Sequence, residues 1–112
     1  MSTTINNILY LKQTRDLLAQ PYGWVKGALH KQKYTRKGEH VTGYCAIGAL
    51  QHVCSGSGHH IFDLEMALEE TLRIKGFLGS VALYNDAICK KKSNILSLFD
   101  ETIARLETKT AA

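Results

Sequence analysis

Cys45-Ala46-Ile47-Gly48-Ala49-Leu50-Gln51-His52-Val53-Cys54 is the stretch on which the reading of the fold turns. Ala46, Ala49, Leu50 and Val53 recur at i, i+3, i+4 and i+7, the spacing of one face of an α-helix. Ala46, Gly48 and Ala49 are small, so this helix can come close to another element. Ser55-Gly56-Ser57-Gly58 then breaks the pattern, as a flexible connection does. Downstream, Leu64, Ala67, Leu68 and Leu72 mark the inner stripe of a helix over Asp63–Lys75. Asp63, Glu65, Glu69 and Glu70 keep its other face wet, and Gly76 stops it. Ser80 is placed to cap a short helix through Tyr84. Ser93 is placed to cap a last one with Leu96, Phe99, Ile103 and Leu106 on its face.

Upstream, Thr4–Ala19 reads as a first helix whose apolar residues are Ile5, Ile8, Leu9, Leu11, Leu17 and Leu18, and Pro21 ends it. Between Gly27 and Gly43, Leu29 and Val41 are nearly the only aliphatics larger than alanine. That segment is either a long basic loop or a short β-hairpin turning near Lys37-Gly38. The expected fold is therefore mainly α. It is a single compact domain over 1–112, with about four to five helices and a basic loop or short β-hairpin inserted between the first and second.

A chain of 112 residues with 45% apolar and 21% charged residues has the size and composition of one globular domain. It contains no apolar run of the roughly 20 residues a membrane helix needs. Residues 1–7 lack a charged stretch followed by an apolar one, so no secretory signal is expected. The three cysteines are an odd number, which points to free thiols in a reducing cytoplasm rather than to a disulfide scaffold.

The formal charge of +4 is unevenly spread. Residues 1–60 hold 7 basic and 2 acidic residues, and the remainder holds 7 basic and 8 acidic. Lys26, Lys31, Lys33, Arg36 and Lys37 fall within twelve positions, and Lys90-Lys91-Lys92 form a second run. Tyr22, Trp24, Tyr34 and Tyr44, four of the nine aromatics, lie in or beside the first cluster. Cations hold phosphates and exposed aromatic faces stack bases, a pairing that suits single strands or nucleotides. Trp24 and Tyr44 read more readily as core residues anchoring the ends of the basic segment. Lys26, Lys31, Lys33, Tyr34, Arg36 and Lys37 are the candidate ligand-binding residues, with an anionic partner: nucleic acid, a nucleotide or an acidic protein surface.

Other constellations are weaker. Cys45, His52, Cys54, His59 and His60 fall within sixteen residues but lack the C-x2-C or H-x3-H steps with which one turn presents two zinc ligands. No metal or other cofactor is expected. Cys45 in the first turn of a helix, His59 or His60 as base and Asn85 or Asp86 as orienter follow the order of a cysteine hydrolase. Such a triad is a matter of geometry, however, and not of order. No phosphate-binding glycine motif occurs. Asn85-Asp86, after the apolar Val81-Ala82-Leu83-Tyr84, reads as a pair that satisfies nearby backbone groups.

Three stretches carry a resemblance. Gly23-Trp24-Val25-Lys26-Gly27-Ala28-Leu29, Tyr44-Cys45-Ala46-Ile47-Gly48-Ala49-Leu50 and Ser80-Val81-Ala82-Leu83-Tyr84-Asn85-Asp86-Ala87 follow in order along most of the chain. They resemble the GWCxGAL, CAxGAL and SVxxWNDA stretches of a family of small uncharacterised proteins from actinobacteria and bacteriophages, a domain of unknown function. Val25 stands where that family has its first cysteine, and Tyr84 where it has a tryptophan before Asn-Asp. The resemblance implies that Trp24, Cys45, Gly48, Asn85 and Asp86 form one structural signature. It also implies a phage or mobile-element source. The expected function is a small non-enzymatic binding protein that engages an anionic ligand or host partner through residues 26–40, with inhibition of host defence as a setting. The alternatives are nucleic-acid binding proper, sequestration of a nucleotide signal, and the cysteine hydrolase. The oligomeric state stays open, a homo-oligomer included.

Overall fold

The computed structural model describes the backbone of residues 2–55 and 58–111 and the side chains of 5–55 and 60–109. The order of elements is α1 (Ser2–Ala19), β1 (His30–Tyr34), β2 (His40–Tyr44), α2 (Ala46–Val53), α3 (Gly58–Ile74), α4 (Val81–Leu83), a π-helical turn (Tyr84–Ile88) and α5 (Lys92–Ala111). The chain is mainly helical, and the segment between α1 and α2 is a hairpin and not a loop.

The core is a single cluster of buried side chains drawn from every helix. It holds Leu11 and Leu18 of α1, Leu50 of α2, Leu64, Leu68 and Leu72 of α3, Val81 of α4, and Ile95, Leu98 and Phe99 of α5. On α1 the inner stripe is Leu11, Thr14 and Leu18, spaced three and four, while Ile5 and Leu9 lie outside it. The buried Thr14 hydroxyl is satisfied by the Tyr10 carbonyl at 2.8 Å, which lets a polar residue occupy a core position. A polar seam joins α3 to α5. The Thr71 and Thr102 hydroxyls lie 2.7 Å apart, Arg105 Nη1 donates to Thr71 Oγ1 at 2.8 Å, and Arg105 pairs with Glu70 at 3.2 Å.

Helix ends differ in places from the sequence expectation. Helix α3 starts at Gly58, ahead of Asp63, with the His60 ring packed on Tyr10 of α1 at 5.2 Å. Tertiary contact thus extends it beyond the acidic residues that looked like its first turn. Its end is as expected. Gly76, at φ 95°, donates to the Arg73 carbonyl, and Phe77 N–H reaches back to the Leu72 carbonyl at 2.9 Å. These are the two bonds of a Schellman stop. Ser93 does not cap α5, because the helix begins one residue earlier, at Lys92. Asn94 Oδ1 instead accepts from Lys91 N–H at 3.0 Å, the backward half of a capping box. Ser80 does cap α4, its Oγ accepting from Leu83 N–H at 3.1 Å. The chain then does not leave the helix at Asn85-Asp86. It widens into the π turn, with Cys89 N–H donating to the Tyr84 carbonyl five residues back at 2.9 Å.

The hairpin pairs Lys31 with Gly43 and Lys33 with Val41, and it turns at Thr35–Gly38 with Gly38 at φ 83°. Tyr44 N–H donates to the Gly23 carbonyl and its carbonyl accepts from Val25 N–H, so β2 lies between β1 and the 23–25 segment. No helix among the described residues is long and apolar enough to cross a membrane.

Candidate anion-binding cleft

Asn85 is wholly buried in the π turn, and its carboxamide is fully engaged. Its Oδ1 accepts from Trp24 Nε1 at 2.8 Å and from the Ala46 N–H at 3.1 Å. Its Nδ2 donates to the Val25 carbonyl at 3.1 Å and to Asp86 Oδ1 at 2.8 Å. Ala46 is the first residue of α2, where a helix has N–H groups without helical partners. One side chain therefore ties the Trp24–Val25 segment and the start of α2 to the turn before α5. These bonds span 60 and 39 residues, and they replace the nearby backbone partners that the Asn-Asp sequence suggests.

Asp86 continues the junction by accepting from the Gly27 N–H at 2.9 Å. That hydrogen bond holds its carboxyl below the usual carboxylate range. Asn85 and then the ammonium groups of Lys26 and Lys31 add to the effect. Cys45 is the N-cap of α2, its Sγ accepting from Gly48 N–H at 3.3 Å. Burial pushes its thiol pKa up, as it does for Cys54 and Cys89. Gly48 packs on the loop before β1, where a Cβ would fall on the Leu29 carbonyl oxygen.

Against this junction lies an open cleft of about 260 Å³ lined by Trp24, Val25, Lys26, Lys31 and Lys33. Lys31 and Lys33 reach it together because side chains two apart on a strand share a face. Lys26 Nζ donates to the Cys89 carbonyl at 2.7 Å, and Lys33 Nζ to the Trp24 carbonyl at 3.4 Å. Strand alternation separates Tyr34 from this cleft. Tyr34, 75% exposed, stands on the other face of the hairpin beside its cross-strand partner His40, ring centroids 5.3 Å apart. Arg36 and Lys37 occupy the exposed tip. Closeness in sequence hides the division between Lys33 and Tyr34, which the period-two alternation of a strand makes plain.

The histidines are dispersed. His52 Nδ1 lies 3.3 Å from the Tyr44 hydroxyl, and His60 packs on Tyr10. The His59 side chain lies outside the described residues. Among the described residues, no three His, Cys, Asp or Glu side chains are grouped as a metal site would require. Asn85, offered by the sequence as an orienter for histidine, is engaged instead with Trp24, Val25, Ala46 and Asp86.

The segments from α1 through the hairpin and π turn to α5 are thus one connected unit, and residues 3–105 match a single family model. The chain belongs to a family of unknown function, DUF6197. The match takes in both sides of the DUF6197 junction, from Trp24 to Asp86, and most of α5. No curated protein and no solved structure matches the chain.

Proposed function

We propose that this DUF6197 chain is a non-enzymatic binding protein that takes an anionic partner on its basic hairpin, with the cleft of Lys26, Lys31 and Lys33 as the principal site. The observation that carries the reading is the way these lysines are held. The hydrogen bonds of Lys26 and Lys33 go to backbone carbonyls, which orient an ammonium group without neutralising it. The ion pairs Lys12–Glu107, Arg15–Asp100, Lys75–Glu101 and Arg105–Glu70 lie elsewhere, among the helices and their ends. Three cations beside an apolar wall, facing the carboxylate of Asp86 across Lys26 and Lys31, suit a ligand with both negative charge and flat or apolar surface. The buried thiols, pushed toward the protonated form, weigh against a cysteine nucleophile. The resemblance to actinobacterial and phage proteins supports a mobile-element origin, and with it interference with a host defence as the biological setting.

Trp24 is the chain's single tryptophan and lines the cleft, so intrinsic fluorescence reports on occupancy directly. At low ionic strength the wild type is titrated with a short pyrimidine oligonucleotide, a nucleoside triphosphate and poly-glutamate. At least one should change the Trp24 signal saturably. The variant Lys31→Ser, Lys33→Ser, Arg36→Ser, Lys37→Ser, checked for an unchanged far-UV spectrum, should lose that response. Undiminished binding by this variant, or no response to any of the three probes, refutes the reading.

A further inference from the structure

The sequence carries two separate basic runs, and the fold brings them to one place. Lys26 Nζ is hydrogen-bonded to the Cys89 carbonyl at 2.7 Å, immediately before Lys90. At the other end of that short segment, Lys92 is half-buried, its Nζ donating to the Gln20 carbonyl at 2.6 Å and the Ala19 carbonyl at 3.3 Å. Burial and then the neighbouring ammonium of Lys33 push the Lys92 pKa down. Segment 89–92 thus meets Lys26 at one end and has Lys92 in the field of the Lys33 ammonium at the other, with the exposed Lys90 and Lys91 between them. The Asp86 carboxylate, in the field of Lys26 and Lys31, is also engaged by Gly27 and Asn85.

The positive surface therefore extends past the cleft on both sides. One arm follows the Lys31 and Lys33 face of β1 to the tip at Arg36 and Lys37, and the other follows residues 89–92. Strand β1 alone is about 17 Å long at ~3.4 Å per residue, more than one nucleotide occupies. Side chains two apart on it are about 7 Å apart, close to the step between phosphates in a stretched single strand. The Trp24 ring is held by Asn85, a rigid wall against which an unpaired base can lie. A duplex offers no free base face to such a wall.

We infer that the cleft and the Lys90–Lys92 run form one continuous track for the backbone of a single-stranded nucleic acid, with a base resting on Trp24. This rests on the anion-binding reading above and specifies its partner. The lysines fix phosphates and confer little sequence preference, while the indole accepts any base.

The test is fluorescence titration of the full chain with a pyrimidine oligonucleotide over a range of salt. Single-stranded DNA, single-stranded RNA, duplex DNA, a nucleoside triphosphate and poly-glutamate are compared. Two variants accompany the wild type: Lys90→Ser with Lys91→Ser, and Lys31→Ser with Lys33→Ser. The single strand should bind several-fold more tightly than duplex or triphosphate. Lys90→Ser/Lys91→Ser changes only exposed positions. It should weaken binding several-fold and flatten the slope of log K against log salt by about 1.4, at ~0.7 per neutralised phosphate. Unchanged affinity and slope in that variant, with loss in the hairpin variant, would overturn the joined track and leave the cleft standing. Preference for duplex, triphosphate or poly-glutamate would overturn the single-strand assignment alone. Silence toward every probe overturns both readings.

Discussion

The Trp24 indole N–H donates to the buried Asn85 Oδ1 at 2.8 Å, across 61 positions of sequence. The same oxygen accepts the first N–H of α2, so Asn85 holds the cleft wall and the start of a core helix at once. Asn85→Ala would leave the Ala46 N–H, the Val25 carbonyl and the Trp24 N–H without their partner. We expect a loss of about 3 kcal/mol, from roughly 1–3 kcal/mol for each buried group left unsatisfied. Trp24→Phe leaves the Ala46 bond in place and should lose only about 1 kcal/mol. Urea unfolding midpoints measure both, and an Asn85→Ala midpoint equal to wild type would contradict the keystone role.

Gly48→Ala separates two opposing effects. Helix propensity favours alanine by about 1 kcal/mol at an interior position. The new Cβ, however, would fall on the Leu29 carbonyl oxygen, which already accepts from Cys45 N–H at 3.0 Å. Neither backbone can yield without disturbing the entry to β1, so overpacking of about 1–3 kcal/mol should win. A thermal melt that moves down, not up, is the expected sign.

Asp86 makes acid stability depend on pH. Its folded carboxyl is held low chiefly by the Gly27 N–H, so its value in the native state lies below the unfolded value of about 3.9. The resulting stabilisation is fully present above that unfolded value and disappears as pH falls through the folded one. The stability difference between wild type and Asp86→Asn should therefore be constant from about pH 7 to 5 and shrink below about pH 4. A difference that stays flat down to pH 2 would show that the Gly27 bond does not discriminate between the two protonation states.

Cys45 gives a test of reactivity. Its thiol is buried and its pKa is raised mainly by that burial, against the lowering effect of the Gly48 and Ile47 N–H groups. Iodoacetamide should label it more slowly than an exposed thiol at neutral pH. Cys45→Ser keeps a capping oxygen and should stay within about 1 kcal/mol of wild type, whereas Cys45→Ala should lose about that much. Labelling of Cys45 faster than a free thiol would revive the nucleophile.

Much of the fold is legible in the chain because its signals are local. Leu64, Leu68 and Leu72 announce α3 by spacing alone, and Gly76 announces its end by its freedom to take φ 95°. Lys37-Gly38 suggests a turn in a segment otherwise short of aliphatics. Ser93 misled because an apparent cap competes with a neighbour, Asn94, that reaches back to close the same helix end. Ile5 and Leu9 misled because apolar residues near the start of α1 are not all required by the core.

By itself the sequence determined that the chain is mainly helical, with an interruption near residues 27–43, and that its positive charge is clustered. Periodicity and composition act over a few residues and need no knowledge of what packs where. Only the tertiary structure decided that the interruption is a hairpin. Pairing of β2 with β1 on one side and with residues 23–25 on the other is a long-range matter. It also decided that Lys31 and Lys33 face the cleft while Tyr34 faces away, and that Lys26 meets the 89–92 segment. Strand alternation divides neighbours in sequence. The Asn85 junction joins groups far apart in sequence, through bonds that only the packed chain can make.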